Sequence, residues 1–170
     1  MTGVQTCTLP IWTKNTSDFN YKNWSDWRSL GCSVIYQDLL LFPKLSAFEN
    51  IFLPLEIQFA KSSIKLSNID IKLKKDKIYD WAEKLGIANK LDQPIFKLSH
   101  GQMQRVAILR ALNRTFNWLI MDEPFSHLDE VNTSIATDLI LSESKLQNAG
   151  IILTSLNKKD LINGFELITI

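Results

Sequence analysis

Residues 118–124, Trp-Leu-Ile-Met-Asp-Glu-Pro, constrain the fold more than any other stretch of the chain. A short apolar run with turn formers behind it has the length and pattern of a fully buried β-strand. This one ends in two adjacent carboxylates, Asp122 and Glu123. Open α/β sheets bind ligands at the carboxyl ends of their strands. Burying two acids there is costly unless something positive or protic compensates, and a divalent cation with phosphates is a usual compensator. Asp122 is then the metal-side carboxylate, and Glu123 holds or deprotonates a water. A strand ending in a solvated acidic turn is the plainer alternative, and the dipeptide alone does not separate the two.

A second feature precedes it. Ser99 and Gly101 sit where a helix should begin, and Val106, Ala107, Leu109 and Ala111 follow at helical spacing. Ser99 is a natural N-cap. Free amides, the positive end of the helix dipole and a glycine that admits a ligand to the backbone together make an anion site. Serine caps are common, so the informative point is the distance from this helix start to the acidic strand.

Bulk properties narrow the class. The chain has 170 residues, 45% hydrophobic and 22% charged, which is ordinary for one globular domain with a sizeable core. A net charge of +1 carries no nucleic-acid signature. Cys7 and Cys32 have no metal-ligand spacing and argue against a disulfide scaffold or zinc site, which suits a reduced, cytosolic context. No uninterrupted apolar segment is long enough to span a bilayer, so membrane association is expected through a partner. No repeat or low-complexity tract is evident.

Leu98-Ser99-His100-Gly101-Gln102, followed by Gln104-Arg105 and Arg110-Ala111-Leu112, resembles the signature motif and helix of ABC-type ATPases. Residues 119–123 resemble their Walker B strand, and Ser126-His127-Leu128-Asp129 their D-loop. The resemblance covers the chain from about residue 30 onward. It implies an α/β, P-loop NTPase-like fold with a largely parallel sheet and an inserted helical subdomain. It implies an ATP-hydrolysing subunit of a bacterial transporter, at the cytoplasmic face of the inner membrane, energising a membrane permease. Two cassettes would pair head to tail. Ser99, Gly101 and Gln102 of one would complete the phosphate site opposite Asp122, Glu123 and Gln37 of the other, with ATP and Mg²⁺ between them and Asp129 linking the two sites. Asp122 and Gln37 are the implied metal side. No nucleic-acid partner is expected.

Residues 1–11, Met-Thr-Gly-Val-Gln-Thr-Cys-Thr-Leu-Pro-Ile, show neither helical nor strand periodicity and lack the features of a signal peptide. They resemble the translated frame of a widely used sequencing-library adapter, with Thr8 the one departure. The expectation is a non-native segment to be set aside. A phosphate loop needs Gly-x-x-x-x-Gly-Lys-[Ser/Thr], so that backbone amides wrap the phosphates and the lysine reaches the terminal ones. None of the six glycines is followed by lysine. In the family that loop lies upstream of the Q-loop, so the expectation is an incomplete cassette lacking the Walker A portion, with the fragment itself inactive.

Residues 12–36 read as a remnant of the family's β-lobe, with Phe19, Trp24 and Trp27 as packing aromatics, and then a strand at 32–36. Residues 37–97 read as Q-loop and helical subdomain. Gln37 resembles the Q-loop glutamine, and residues 45–55 are close to the pattern in exporters of the lipoprotein-releasing and macrolide-efflux kind. Ser46 and Glu49 form a capping box. The lysine-rich stretch at 61–77 reads as a solvated loop and helix face. Ile78, Trp81, Ala82 and Leu85 form a core stripe closed by Gly86.

Residues 98–170 read as signature helix, Walker B, D-loop and the end of the catalytic core. A helix after Asp129 carries Ile135, Leu139 and Leu146 on one face, with strands at 151–154 and 165–170. Alternating strands and helices argue a mainly parallel sheet. The absence of heptads between Gln37 and Leu98 disfavours the chromosome-structuring and repair members of the superfamily. A soluble translation-associated ABC ATPase stays open as an alternative, since those members share the D-loop pattern, although they carry two cassettes in one chain and this one shows a single set. Ser155 stands where the family has its switch histidine, and an uncharged hydroxyl there favours, as the alternative function, a non-hydrolytic regulatory ABC protein. His100 replaces the first glycine of the signature pair and has no partner cluster that would make it a metal ligand.

Overall fold

The computed structural model describes residues 5–8, 31–61, 68–155 and 166–169. The aromatic stretch at 12–30 lies outside the described residues. The elements are β1 (Gln5–Thr8), β2 (Cys32–Ile35), α1 (Ala47–Lys61), α2 (Asn68–Lys84), short 3₁₀ turns at Ala88–Lys90 and Ile95–Lys97, α3 (His100–Leu112), β3 (Trp118–Asp122), α4 (Glu130–Leu146), β4 (Gly150–Ser155) and β5 (Glu166–Thr169).

Among the described residues the strands form one sheet in the order β2-β3-β4-β1-β5. β2, β3 and β4 are parallel, with Ile35 opposite Met121 and Met121 opposite Leu153. β1 runs antiparallel to both β4 and β5, so β5 points the same way as β2 to β4. The mainly parallel α/β sheet expected from the sequence is therefore present, with one reversed strand. That strand lies in the segment set aside as having no strand periodicity. Pairing is made by backbone groups, which need no side-chain alternation, and Gln-Thr-Cys-Thr includes β-favouring threonines.

The 119–121 run is not buried on both sides. Leu119 and Met121 are buried while Trp118 and Ile120 are half-buried. The register explains the alternation. Ser33, Ile35, Leu119, Met121, Ile151 and Leu153 share the face that lies against the helices, and its apolar members join α1 to α4 in one core cluster. Val34, Ile120 and Ile152 line the opposite, half-covered face. There the Trp118 ring lies over Gly150, where a Cβ would come within 2.5 Å of the indole. Only glycine fits at that position.

Local signals in the helices hold. Glu49 N–H donates to Ser46 Oγ at 3.1 Å and Ser46 N–H to Glu49 Oε2 at 2.7 Å, the expected capping box. Asn50, fully buried, pins the preceding loop by donating to Phe42 O and Ser46 O and accepting from Phe42 N–H. Ile78, Trp81, Ala82 and Leu85 are buried, and Gly86 closes α2 at φ +64° with Ile87 N–H reaching back to Ala82 O.

Two expectations are corrected. Leu146 is 76% exposed, and the buried stripe of α4 is Ala136, Thr137, Leu139, Ile140, Glu143 and Ser144. Leu146 lies only about 20° around the helix from buried Leu139 but is the last residue of α4, beyond the end of the core, and Ile135 only flanks it. Within the lysine stretch, Lys77 is not a purely solvated group: it pairs with buried Glu143 at 2.8 Å and lies 4.7 Å from the Trp81 ring centroid, tying α2 to α4.

Candidate functional site

The carboxyl edge of the sheet gathers the acids. Asp122 is the last residue of β3 and is exposed, not buried as the apolar run suggested, because it falls on the half-covered face at the strand's end. Thr154 stands opposite it on β4, and the Thr154 hydroxyl donates to Asp122 Oδ1 at 2.5 Å. Sequence reasoning missed Thr154. Its signal was parity: in a strand beginning at Gly150, Thr154 falls on the Asp122 face, whereas Ser155 turns to the covered face and is 2% exposed. Gln37 is exposed in the turn just beyond β2, at the same edge.

Glu123 leaves the strand in a left-handed conformation, φ +48°. A non-glycine residue there stores roughly 1–3 kcal/mol and persists only when its surroundings impose it. Here they do: Glu123 N–H donates to Thr154 O, and Glu123 O accepts from Gln104 Nε2 at 2.8 Å and Ser126 Oγ at 3.2 Å. Gln104 is 1% exposed, and its Oε1 accepts from His127 N–H at 3.1 Å. One amide side chain thus joins α3, the acid pair and the following loop.

The Gln37 turn is held similarly. Leu39 and Leu40 both have positive φ, +58° and +45°. Arg110 of α3 donates to Leu39 O at 2.5 Å and Leu40 O at 2.6 Å. Burial lowers the Arg110 pKa, yet a guanidinium stays charged near neutrality.

At the mouth of α3, Ser99 caps the helix as expected. Ser99 Oγ accepts from Gln102 N–H at 3.3 Å, and the Gln102 side chain accepts from Ser99 N–H at 3.0 Å. Gln102 therefore has a structural partner in this state. Ser99 and His100 are exposed, and the first helical amides, His100 and Gly101, have no intrahelical acceptor by construction. Gly101 faces a neighbour from its own chain: a Cβ there would lie 2.6 Å from His127 O. Arg105 donates to Gly101 O, to Leu85 O at the end of α2 and to Asn132 of α4, so the mouth is braced from three elements.

Asp129 is the N-cap of α4. Its Oδ1 accepts from Asn132 N–H at 2.7 Å, and both oxygens accept from the Asn132 amide. The Asn132 backbone bond, then its side chain, hold the Asp129 carboxyl below the usual range, with nearby Arg105 adding to the shift. A depressed folded-state pKa gives stability that is present above the unfolded value and lost as pH falls through the folded one. Asn also caps well but carries no charge. The expected result is that wild type exceeds Asp129→Asn in urea midpoint at pH 7, and that the gap closes as pH falls through and below the ordinary carboxylate range. A gap that is constant with pH would remove the charge from this account.

The structure thus draws Ser99, Gly101 and Gln102 together at one helix mouth with Asp129 on the adjoining cap, and Gln37, Asp122, Glu123 and Ser155 along one sheet edge. Carboxylate, amide and hydroxyl oxygens at that edge suit a hard cation such as Mg²⁺. Among the described residues no group of three or more His, Cys, Asp and Glu side chains is placed to hold a metal ion.

Comparison with known proteins places these features. A family model described as "ABC transporter" matches residues 9–126. The lipoprotein-releasing system ATP-binding protein LolD of Legionella pneumophila (strain Lens) is 30% identical over 141 residues, 83% of this chain and 58% of that protein. The ribose import ATP-binding protein RbsA of Lactococcus lactis subsp. cremoris (strain SK11) is 32% identical over 153 residues, 90% of this chain and 30% of that protein. A solved dimeric structure of MJ0796, a bacterial ABC transporter cassette, superposes with a TM-score of 0.67 at 23% identity, over 85% of this chain and 60% of that one. A second MJ0796 dimer, in a post-hydrolysis state bound to ADP and Pi, superposes with a TM-score of 0.61 at 25% identity, over 81% and 57%. The chain spans less than two thirds of the length of each of these relatives.

Proposed function

Because this chain belongs to the ABC transporter family, we propose that it acts as the ATP-binding and ATP-hydrolysing subunit of a bacterial transporter, energising a membrane permease. The observation that carries the proposal is the exposure of both half-sites. Asp122 is exposed and Glu123 half-buried at the carboxyl edge of a parallel sheet, and the capped mouth of α3 is exposed at Ser99 and His100, so a second copy can approach both.

In this reading two cassettes pair head to tail. Ser99, Gly101 and Gln102 of one cradle the terminal phosphate of ATP held on the other, with Gln102 giving up its cap contact to do so. Asp122 and Gln37 would hold Mg²⁺, with the Thr154 hydroxyl fixing the Asp122 rotamer. Mg²⁺ bound there would offset charge on the phosphate oxygens. The Glu123 carboxylate positions the attacking water and takes its proton, from a backbone that cannot drift. Asp129 couples the two sites through the α4 cap. Ser155 stands where the family has a charged group, but it is turned to the covered face and is 2% exposed, so it brings no charge to this edge. That uncharged hydroxyl also supports a second reading, a regulatory ABC protein in which nucleotide promotes pairing without turnover.

The permease is proposed to seat beside Gln37. A cavity of about 670 Å³ opens there, lined by Tyr36, Leu40 and Phe42, by Leu53, Pro54 and Ile57 of α1, and by Arg110. Tyr36, Leu40, Phe42 and Ile57 are exposed apolar side chains that a partner would cover. Among the described residues no helix is long and apolar enough to cross a membrane, so attachment to the cytoplasmic face is proposed to run through that partner.

Calorimetry tests the nucleotide assignment. These 170 residues hold no Gly-Lys phosphate loop, so ATP is expected to bind no tighter than about millimolar, roughly 4 kcal/mol, with no turnover above background. Joining residues 31–170 behind the phosphate-loop segment of a LolD-type relative should bring the affinity to about micromolar. Tight binding by the chain alone contradicts the assignment, and a hybrid that folds without binding ATP ends it.

A further inference from the structure

The chain has two histidines, and the fold brings them together. The rings of His100 and His127 meet with centroids 4.1 Å apart and planes inclined by 57°. The sequence showed His100 no partner, because its partner arrives from the loop beyond β3. Both backbones are anchored on α3. His100 is the first residue of the helix behind capped Ser99. His127 is held by its N–H to Gln104 and by the approach of its carbonyl to Gly101. Both residues are exposed.

From this juxtaposition we propose a two-histidine site for a divalent transition-metal ion of the copper, nickel and zinc class. Imidazole nitrogen selects these ions over Mg²⁺ and Ca²⁺, which prefer oxygen. Once one ring binds, the other is already placed, so the second bond forms at high effective concentration and the pair holds far more tightly than either ring. Two imidazoles on one ion, each at about 2.0–2.1 Å, stand slightly further apart than the present contact, and rotation of two exposed side chains supplies the difference. The positive end of α3 opposes a cation there, a small and solvent-screened effect at an exposed helix end beside two coordinate bonds. No third His, Cys, Asp or Glu among the described residues completes a cluster, so water or a ligand from another molecule fills the remaining positions. The site shares no residue with the oxygen set at Asp122 and does not depend on the nucleotide reading.

Zinc calorimetry and copper(II) electron paramagnetic resonance on the untagged full chain test the proposal. One ion per chain is expected, bound more tightly as copper than as zinc and not displaced by excess Mg²⁺, with a copper spectrum split by two nitrogens. His100→Gln and His127→Gln should each weaken zinc binding at least about tenfold, and the double variant should bind little worse than either single one, as expected when a chelate loses one arm. A one-nitrogen or sulfur-ligated spectrum, wild-type affinity in either single variant, or losses that multiply in the double variant would overturn the site.

Discussion

Gln104→Leu should lower the unfolding free energy by about 2–3 kcal/mol, since it removes three hydrogen bonds, two of them close, and strips part-buried partners at once. The side chain is 1% exposed, and leucine is no smaller, so the exchange leaves no cavity and the loss is polar. His127 N–H loses the Gln104 carbonyl, and Glu123 O loses its 2.8 Å donor while keeping Ser126. The left-handed Glu123 then relaxes, because the strain at φ +48° is held in part by that donor. Gln104→Glu separates the two halves of the contact. It keeps the acceptor for His127 but sets a carboxylate against the Glu123 carbonyl, so its deficit should shrink as acid protonates it and restores a donor. Urea unfolding followed by circular dichroism reads both variants. A leucine variant within about 0.5 kcal/mol of wild type would mean that the buried amide braces nothing.

The larger effect on chemistry is expected at Glu123. In the hybrid cassette that carries a phosphate loop, Glu123→Gln should cut ATP turnover by about 10²–10³-fold while leaving nucleotide affinity and pairing in place. The amide keeps the size of the side chain and still orients water, but it cannot accept a proton. Its contacts to Thr154, Gln104 and Ser126 run through its own backbone N–H and C=O and survive the exchange. Equal and negligible turnover in both proteins, with ATP-dependent pairing intact, would favour the regulatory reading in which Ser155 marks a cassette that binds without hydrolysing.

The parts of the fold legible in the sequence were those written within a few residues of one another. The Ser46 and Glu49 box, the Ser99 cap and the left-handed Gly86 closure each join neighbours along one helix end, where a side chain can reach only a few backbone groups. The acid pair was legible because a strand's end is visible as the end of an apolar run. Burial was less so. An apolar run does not say which of its faces will be covered, and here helices cover Leu119 and Met121 more fully than Ile120. Leu146 failed for a related reason, since a stripe drawn through three leucine-like residues does not show where the helix outruns its core.

The sequence alone thus determined the class of machine: a parallel α/β cassette with an acid pair, a signature helix and no phosphate loop within these 170 residues. Only the tertiary structure decided which residues brace the site. Thr154 finds Asp122 across 32 residues, Arg110 finds Leu40 across 70, and Gln104 finds Glu123 across 19. Composition and periodicity set how each segment folds. Strand register and the seating of α3 set which segments meet, and a one-residue slip in either would turn every one of these partners to another face.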